Sequence, residues 1–156
     1  MSRIYEIMYL IDNNAVRAGW KEAKAAATGL IEKHGGKVLS ARRWDERKLA
    51  YTIKQRRRGT YMLAYGEIPG PGVATLRREL DLTESVLRYL ILQVESVPQQ
   101  ELELTRAESE AGFVVPAPPT EDAPGPAGLL QDHDEEAEVE VVEASAEAGE
   151  LAEEEV

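Results

Sequence analysis

The chain has no cysteine. That excludes a disulfide framework and any thiolate metal site, and it fits a reducing compartment. There is no run of about 18 apolar residues, so no membrane-spanning helix is expected. The first residues, Met1 to Ile7, lack the apolar stretch of a secretory signal, and none is expected. Histidine occurs only twice. His34 sits at the end of a helical pattern, where a partial positive charge suits the helix dipole. His133 lies between Asp132 and Asp134 in an acidic stretch. Neither has a nucleophile or metal partner spaced to meet it. No Ser/His/Asp or Cys/His constellation appears, so no catalytic residue, metal or cofactor is expected.

Positive charge is scarce overall but unevenly spread. The net charge of −11 conceals two halves. Residues 1–97 carry 17 Lys plus Arg against 11 Asp plus Glu, a net of +6. Residues 98–156 carry 1 against 18, a net of −17. The first part reads as a basic folded domain. The second begins at Pro98, holds five prolines between Pro116 and Pro126, and ends rich in Glu and Ala. With few large apolar residues and high net charge it has little to bury, so residues 98–156 read as a disordered acidic tail, with transient helix over 102–110.

Arg42 to Ile68 organises the basic part. Two apolar runs, Leu49–Ile53 and Tyr61–Ile68, are rich in strand-favouring residues. They flank Lys54-Gln55-Arg56-Arg57-Arg58-Gly59, where Gly59 is the expected source of turn freedom. From Arg42 to Arg58 there are eight Lys or Arg and two acids, Asp45 and Glu46. The segment reads as a β-hairpin with a basic tip. Like charges crowded there repel, and a polyanion such as nucleic acid relieves them. Trp44, Tyr51, Tyr61 and Tyr65 suit base stacking or packing on a protein.

The remaining elements follow from periodicity. Arg3–Ile11 reads as a central strand, apolar on both faces except at Glu6. Ala15–His34 carries an apolar stripe of Val16, Trp20, Ala23, Ala27, Leu30 and Ile31, despite Gly19 and Gly29, and stops at Gly35-Gly36. Lys37–Ile53 reads as a long second strand, bulged near Trp44. On the third strand Met62, Ala64, Gly66 and Ile68 share the face a helix can approach. Tyr61, Leu63 and Tyr65 then share the open face with Glu6 and Met8. That open face suits a partner, or a place for the tail to lie back, and the partner is preferred. Pro69-Gly70-Pro71-Gly72 is a turn into a helix containing Val73, Leu76 and Leu80, and it lacks the Lys-Ser/Thr of a phosphate loop. Val86–Val94 is the fourth strand. The order β-α-β-β-α-β predicts an α+β, ferredoxin-like sandwich: a four-stranded antiparallel sheet with two helices on one face.

Three stretches carry a family resemblance. Arg47-Lys48-Leu49-Ala50-Tyr51, Ile53 and Gly59-x-Tyr61 resemble a signature of bacterial small-subunit ribosomal protein S-six. Arg3–Ile11, with Tyr5-Glu6, and Leu80–Val94, with Ser85-Val86-Leu87-Arg88, resemble its first and last strand regions. The similarity covers about residues 3–95. It implies a cytoplasmic, structural constituent of the small ribosomal subunit that binds small-subunit ribosomal RNA together with ribosomal protein S-eighteen, without catalysis, cofactor or membrane. Thr52 departs from the proline often found there, and the acidic tail exceeds the family core. Charge selects Arg3, Arg42, Arg43, Arg47, Lys48, Lys54, Arg56, Arg57, Arg58 and Arg88 as candidate RNA-binding residues. The open face selects Tyr61, Leu63 and Tyr65 as candidate partner-binding residues. No G-F-G-F aromatic signature appears, so backbone and shape recognition is expected rather than base reading. Two other readings exist. An acylphosphatase-like hydrolase needs an anion nest and an Asn, but the turn Asp12-Asn13-Asn14-Ala15 lacks the glycines. An interaction module whose acidic tail competes with nucleic acid for the basic face is the second.

Overall fold

The first strand becomes an inner strand of the sheet. In the computed structural model, which describes residues 1–123, β1 (Ser2–Ile11) pairs antiparallel with β3 (Arg56–Pro69) on one side and β4 (Val86–Val94) on the other. The long β2 (Lys37–Ile53) adds outside β3, giving the order β2-β3-β1-β4. β2 and β4 are therefore the two edges.

Alternation decides which face takes the helices. Ile7, Tyr9 and Ile11 of β1 join Met62, Ala64 and Ile68 of β3 in one buried cluster. Ala27 and Ile31 of α2 (Trp20–Lys33) and Leu76 and Leu80 of α3 (Gly70–Leu82) close it. Each fully buried Ile or Leu there contributes roughly 1.5–3 kcal/mol. Burial also pushes the Tyr9 hydroxyl well above its ordinary pKa. The four-stranded sheet with helices on one face is the ferredoxin-like arrangement that the element order predicts.

Local chemistry sets the boundaries. α2 ends in a Schellman motif. Gly35 is left-handed at φ 80°, its N–H bonds Glu32 O at 3.0 Å, and the Gly36 N–H bonds Ile31 O at 2.9 Å. Pro71 occupies the first turn of α3, where its missing N–H costs nothing.

Three expectations need correction. The single helix over 15–34 is two: α1 (Asn13–Ala18) and α2, separated by an extended Gly19. Poor helix propensity at Gly19 makes the break inexpensive. The hairpin turn is not at Gly59. It is the two-residue turn Lys54-Gln55, with φ of 46° and 65°, the doubly left-handed geometry that matches strand twist. Gly59 lies inside β3, where an added Cβ would come within 2.5 Å of Leu10 Cδ1; the glycine is there for close packing. Finally, ordered chain continues past Val97. Gln99–Ser109 forms α4, which lies against the β2 edge. The expected tail beyond residue 123, His133 included, lies outside the described residues.

Candidate nucleic-acid interface

The β2–β3 ribbon overhangs the sheet. β1 ends at Ile11, opposite Thr60, but β2 and β3 continue to the pair Ile53–Arg56. Arg56, Arg57 and Arg58 therefore sit past the end of β1. The ribbon is irregular, with register shifts between Arg43 and Asp45 and between Lys48 and Ile53. The first leaves Trp44 bulged, edge-on to Tyr61 at 5.9 Å, with the Arg47 guanidinium 5.4 Å from its ring centre.

The predicted basic residues divide into groups. Arg47, Lys48, Lys54, Arg56, Arg57 and Arg88 gather at the overhanging end. Arg47 opposes Gly59 and Lys48 opposes Arg58. The Lys54 ammonium donates to Val86 O at 3.3 Å, which brings the turn to β4, and Arg88 is exposed opposite Leu10. Arg47 also pairs with Asp45 at 2.8 Å, holding that carboxyl below its ordinary pKa. Arg56 is tied to Asp12 at 3.1 Å. Arg57 is 63% exposed.

Arg58 has a different job. Its side chain is 5% exposed, and two of its nitrogens donate to the Glu46 carboxylate at 2.8 and 2.9 Å. That hydrogen-bonded pairing raises its pKa further. Glu46 also accepts from Asn13 Nδ2 at 3.2 Å, and Asn13 Oδ1 accepts from the Thr60 hydroxyl at 2.8 Å. Asn13 and Thr60 are fully buried. This network joins α1, β2 and β3 beneath the ribbon.

Arg3 lies at the far end of the sheet, paired in register with Ile68 and donating to Gln93 Oε1 at 3.0 Å. Arg42 and Arg43 lie under α4. Arg42 makes a two-pronged bond to Glu101, at 2.6 and 2.9 Å, which raises its pKa. The Arg43 N–H donates to Glu108 Oε2 at 2.6 Å.

The predicted partner triad divides as well. Leu63 and Tyr65 are buried, at 8% and 3% exposure, and only Tyr61 is half-open. The Tyr65 hydroxyl donates to Glu6 Oε2 at 2.6 Å; burial, then this bond, raises its pKa. The open part of the face is a groove of about 270 Å³ lined by Met8, Leu10, Leu49, Tyr51, Tyr61 and Leu90. Leu90 is 54% exposed, and beside the groove Leu92 is 47% exposed.

Among the described residues no group of three or more His, Asp or Glu could hold a metal ion, and no helix is long and apolar enough to cross a membrane. At the turn suggested for a hydrolase, Asp12 Oδ1 accepts the Asn14 N–H at 2.9 Å. That N–H is therefore already taken by a carboxylate.

The family model described as Ribosomal protein S6 matches residues 4–93. The chain belongs to that family. It is 35% identical over 91 residues to the small ribosomal subunit protein bS6 of Fusobacterium nucleatum subsp. nucleatum, covering 58% of this chain and 97% of that one. It is 29% identical over 122 residues to bS6 of Bartonella bacilliformis, covering 78% and 82%. The crystal structure of 30S ribosomal protein S6 from Thermotoga maritima has the same fold, with a TM-score of 0.53 and 24% identity over 70% of this chain and 98% of that one. This S6-family chain is accordingly a structural protein of the small ribosomal subunit.

Sequence reasoning missed the docking of α4. Its half-buried residues are Glu101, Leu102, Thr105 and Glu108, a helical face with a single apolar member. Glu108, 6% exposed, accepts from Trp20 Nε1, Lys24 Nζ and the Arg43 N–H. The named bonds that hold the helix run through carboxylates, and one half-buried leucine is too little for a search for apolar periodicity to find.

Proposed function

We propose that this S6-family chain binds small-subunit ribosomal RNA through the overhanging ribbon and ribosomal protein S-eighteen through the groove beside Leu90, with no catalysis and no cofactor. The gathering of Arg47, Lys48, Lys54, Arg56, Arg57 and Arg88 at one end of the sheet is the observation that carries the reading. These cations come from three places in the chain, the two arms of the ribbon and β4, and among the described residues nearby acids pair with Arg47, Arg56 and Arg57. Backbone phosphates are the matching ligand, because a basic patch without a base-reading motif suits A-form RNA.

Measuring affinity for protein-free small-subunit ribosomal RNA across a salt series tests it. Arg57→Ala with Arg88→Ala should weaken binding and flatten the log-log salt slope by about 0.7–0.9 per lost phosphate contact. An unchanged slope removes the ribbon from the reading. For the groove, Leu90→Asp with Leu92→Asp should abolish capture of S-eighteen while leaving the RNA salt slope intact. Both leucines are exposed, so a loss of fold is not expected.

A further inference from the structure

The ribbon tip already holds an anion. Glu121 Oε2 accepts from two successive backbone amides, Arg57 N–H at 2.7 Å and Arg58 N–H at 3.2 Å. Asp122 Oδ1 accepts from Arg57 Nη1 at 2.6 Å, and Ala123 O accepts from Arg58 Nη1 at 2.7 Å. On the β1 side the edge is open here because β1 stops opposite Thr60, and on the other side β2 slips in register between Lys48 and Ile53, pairing with Arg56 and Arg58 but not with Arg57; that irregularity lets two successive N–H groups turn to one oxygen. One oxygen held by consecutive N–H groups beside a guanidinium is the arrangement that also holds a phosphate oxygen. The delivery of the acids is built in. Arg17 Nη2 donates to Pro118 O at 3.3 Å and Pro119 O at 2.9 Å. The proline-rich stretch before Glu121 favours extended chain, and Glu101 and Glu108 pin its start to β2 and α2.

We infer that the amides of Arg57 and Arg58, with the Arg57 guanidinium, form a phosphate-binding site, and that Glu121 and Asp122 are its resident occupant, displaced when RNA binds. The inference rests on the RNA-binding reading above. The block is soft. Arg57 and Asp122 are 63% and 82% exposed, so salt screens their pairing. Tethering nevertheless holds the acids at roughly millimolar effective concentration. The resident acids act as a filter: a polyanion must supply several phosphates at once to displace them, whereas an isolated anion gains little.

The test compares three full-length proteins binding protein-free small-subunit ribosomal RNA: the unaltered chain, Glu121→Gln/Asp122→Asn, and Glu103→Gln/Glu110→Gln. The last removes two exposed charges elsewhere in the same stretch. The 121/122 variant should bind about three- to tenfold more tightly at low salt, converging with the unaltered chain as salt rises. The 103/110 control should change affinity less than about twofold. In the RNA-free proteins, the amide resonances of Arg57 and Arg58 should move in the 121/122 variant and not in the control. Equal affinity of the 121/122 variant and the unaltered chain, or an equal gain in the control, overturns the inference and leaves RNA binding standing. Absence of binding by all three overturns the RNA reading and the inference with it.

Discussion

At the residue scale, neighbouring arginines are placed differently by the fold. Arg57 and Arg58 are adjacent and chemically identical, yet one is open and the other is locked to Glu46. Arg58→Ala leaves a buried carboxylate unpaired and should cost about 3–5 kcal/mol in urea unfolding. Replacing both partners with Leu should cost much less. Arg57→Ala should stay within about 0.5 kcal/mol of the parent while weakening RNA binding. Tyr65 gives a pH test. Its folded pKa lies above the ordinary value of 10.0, so its contribution is fully present below pH 10 and is lost as pH rises from there through the folded value. Tyr65→Phe should therefore show a smaller loss of unfolding midpoint between about pH 8 and pH 11, with Tyr9 accounting for part of what remains.

At the element scale, α4 shows what hydrophobic patterning can and cannot reveal. Glu108→Ala would orphan the Arg43 N–H and the Trp20 indole N–H, at about 1–3 kcal/mol for each buried group. Faster hydrogen exchange at the Arg43 amide would report it directly. The strands and α2 and α3 are legible in the sequence because their buried faces are apolar at periods of 2 and 3.6: Ile7, Tyr9 and Ile11 on one, Ala27 and Ile31 on another. The clustering of Arg47 to Arg58 is legible as charge. Which arginines are taken up by the fold is not, because that depends on Glu46, Glu101 and Glu108, acids contributed from other elements and visible only once the chain is folded. The turn is easily misplaced because Gly59 looks like a turn residue, while the left-handed pair is Lys54-Gln55, two residues that seldom adopt that geometry.

At the scale of the whole molecule, charge works by position. A net of −11 would suggest a protein that repels RNA, yet Arg47, Lys48, Lys54, Arg56, Arg57 and Arg88 gather at one end and part of its acid is set against them. The α4 cover of β2 has a further effect, in time. An uncovered edge strand offers its unpaired N–H and C=O groups to other chains. The cover is encoded after the whole sheet, so during synthesis β2 emerges well before the helix that shields it. At about 5–20 residues per second, β2 spends several seconds outside the ribosome before α4 follows it. A chain truncated after Val97 never leaves that state, and it should associate with itself at concentrations where the full-length protein sediments as a monomer.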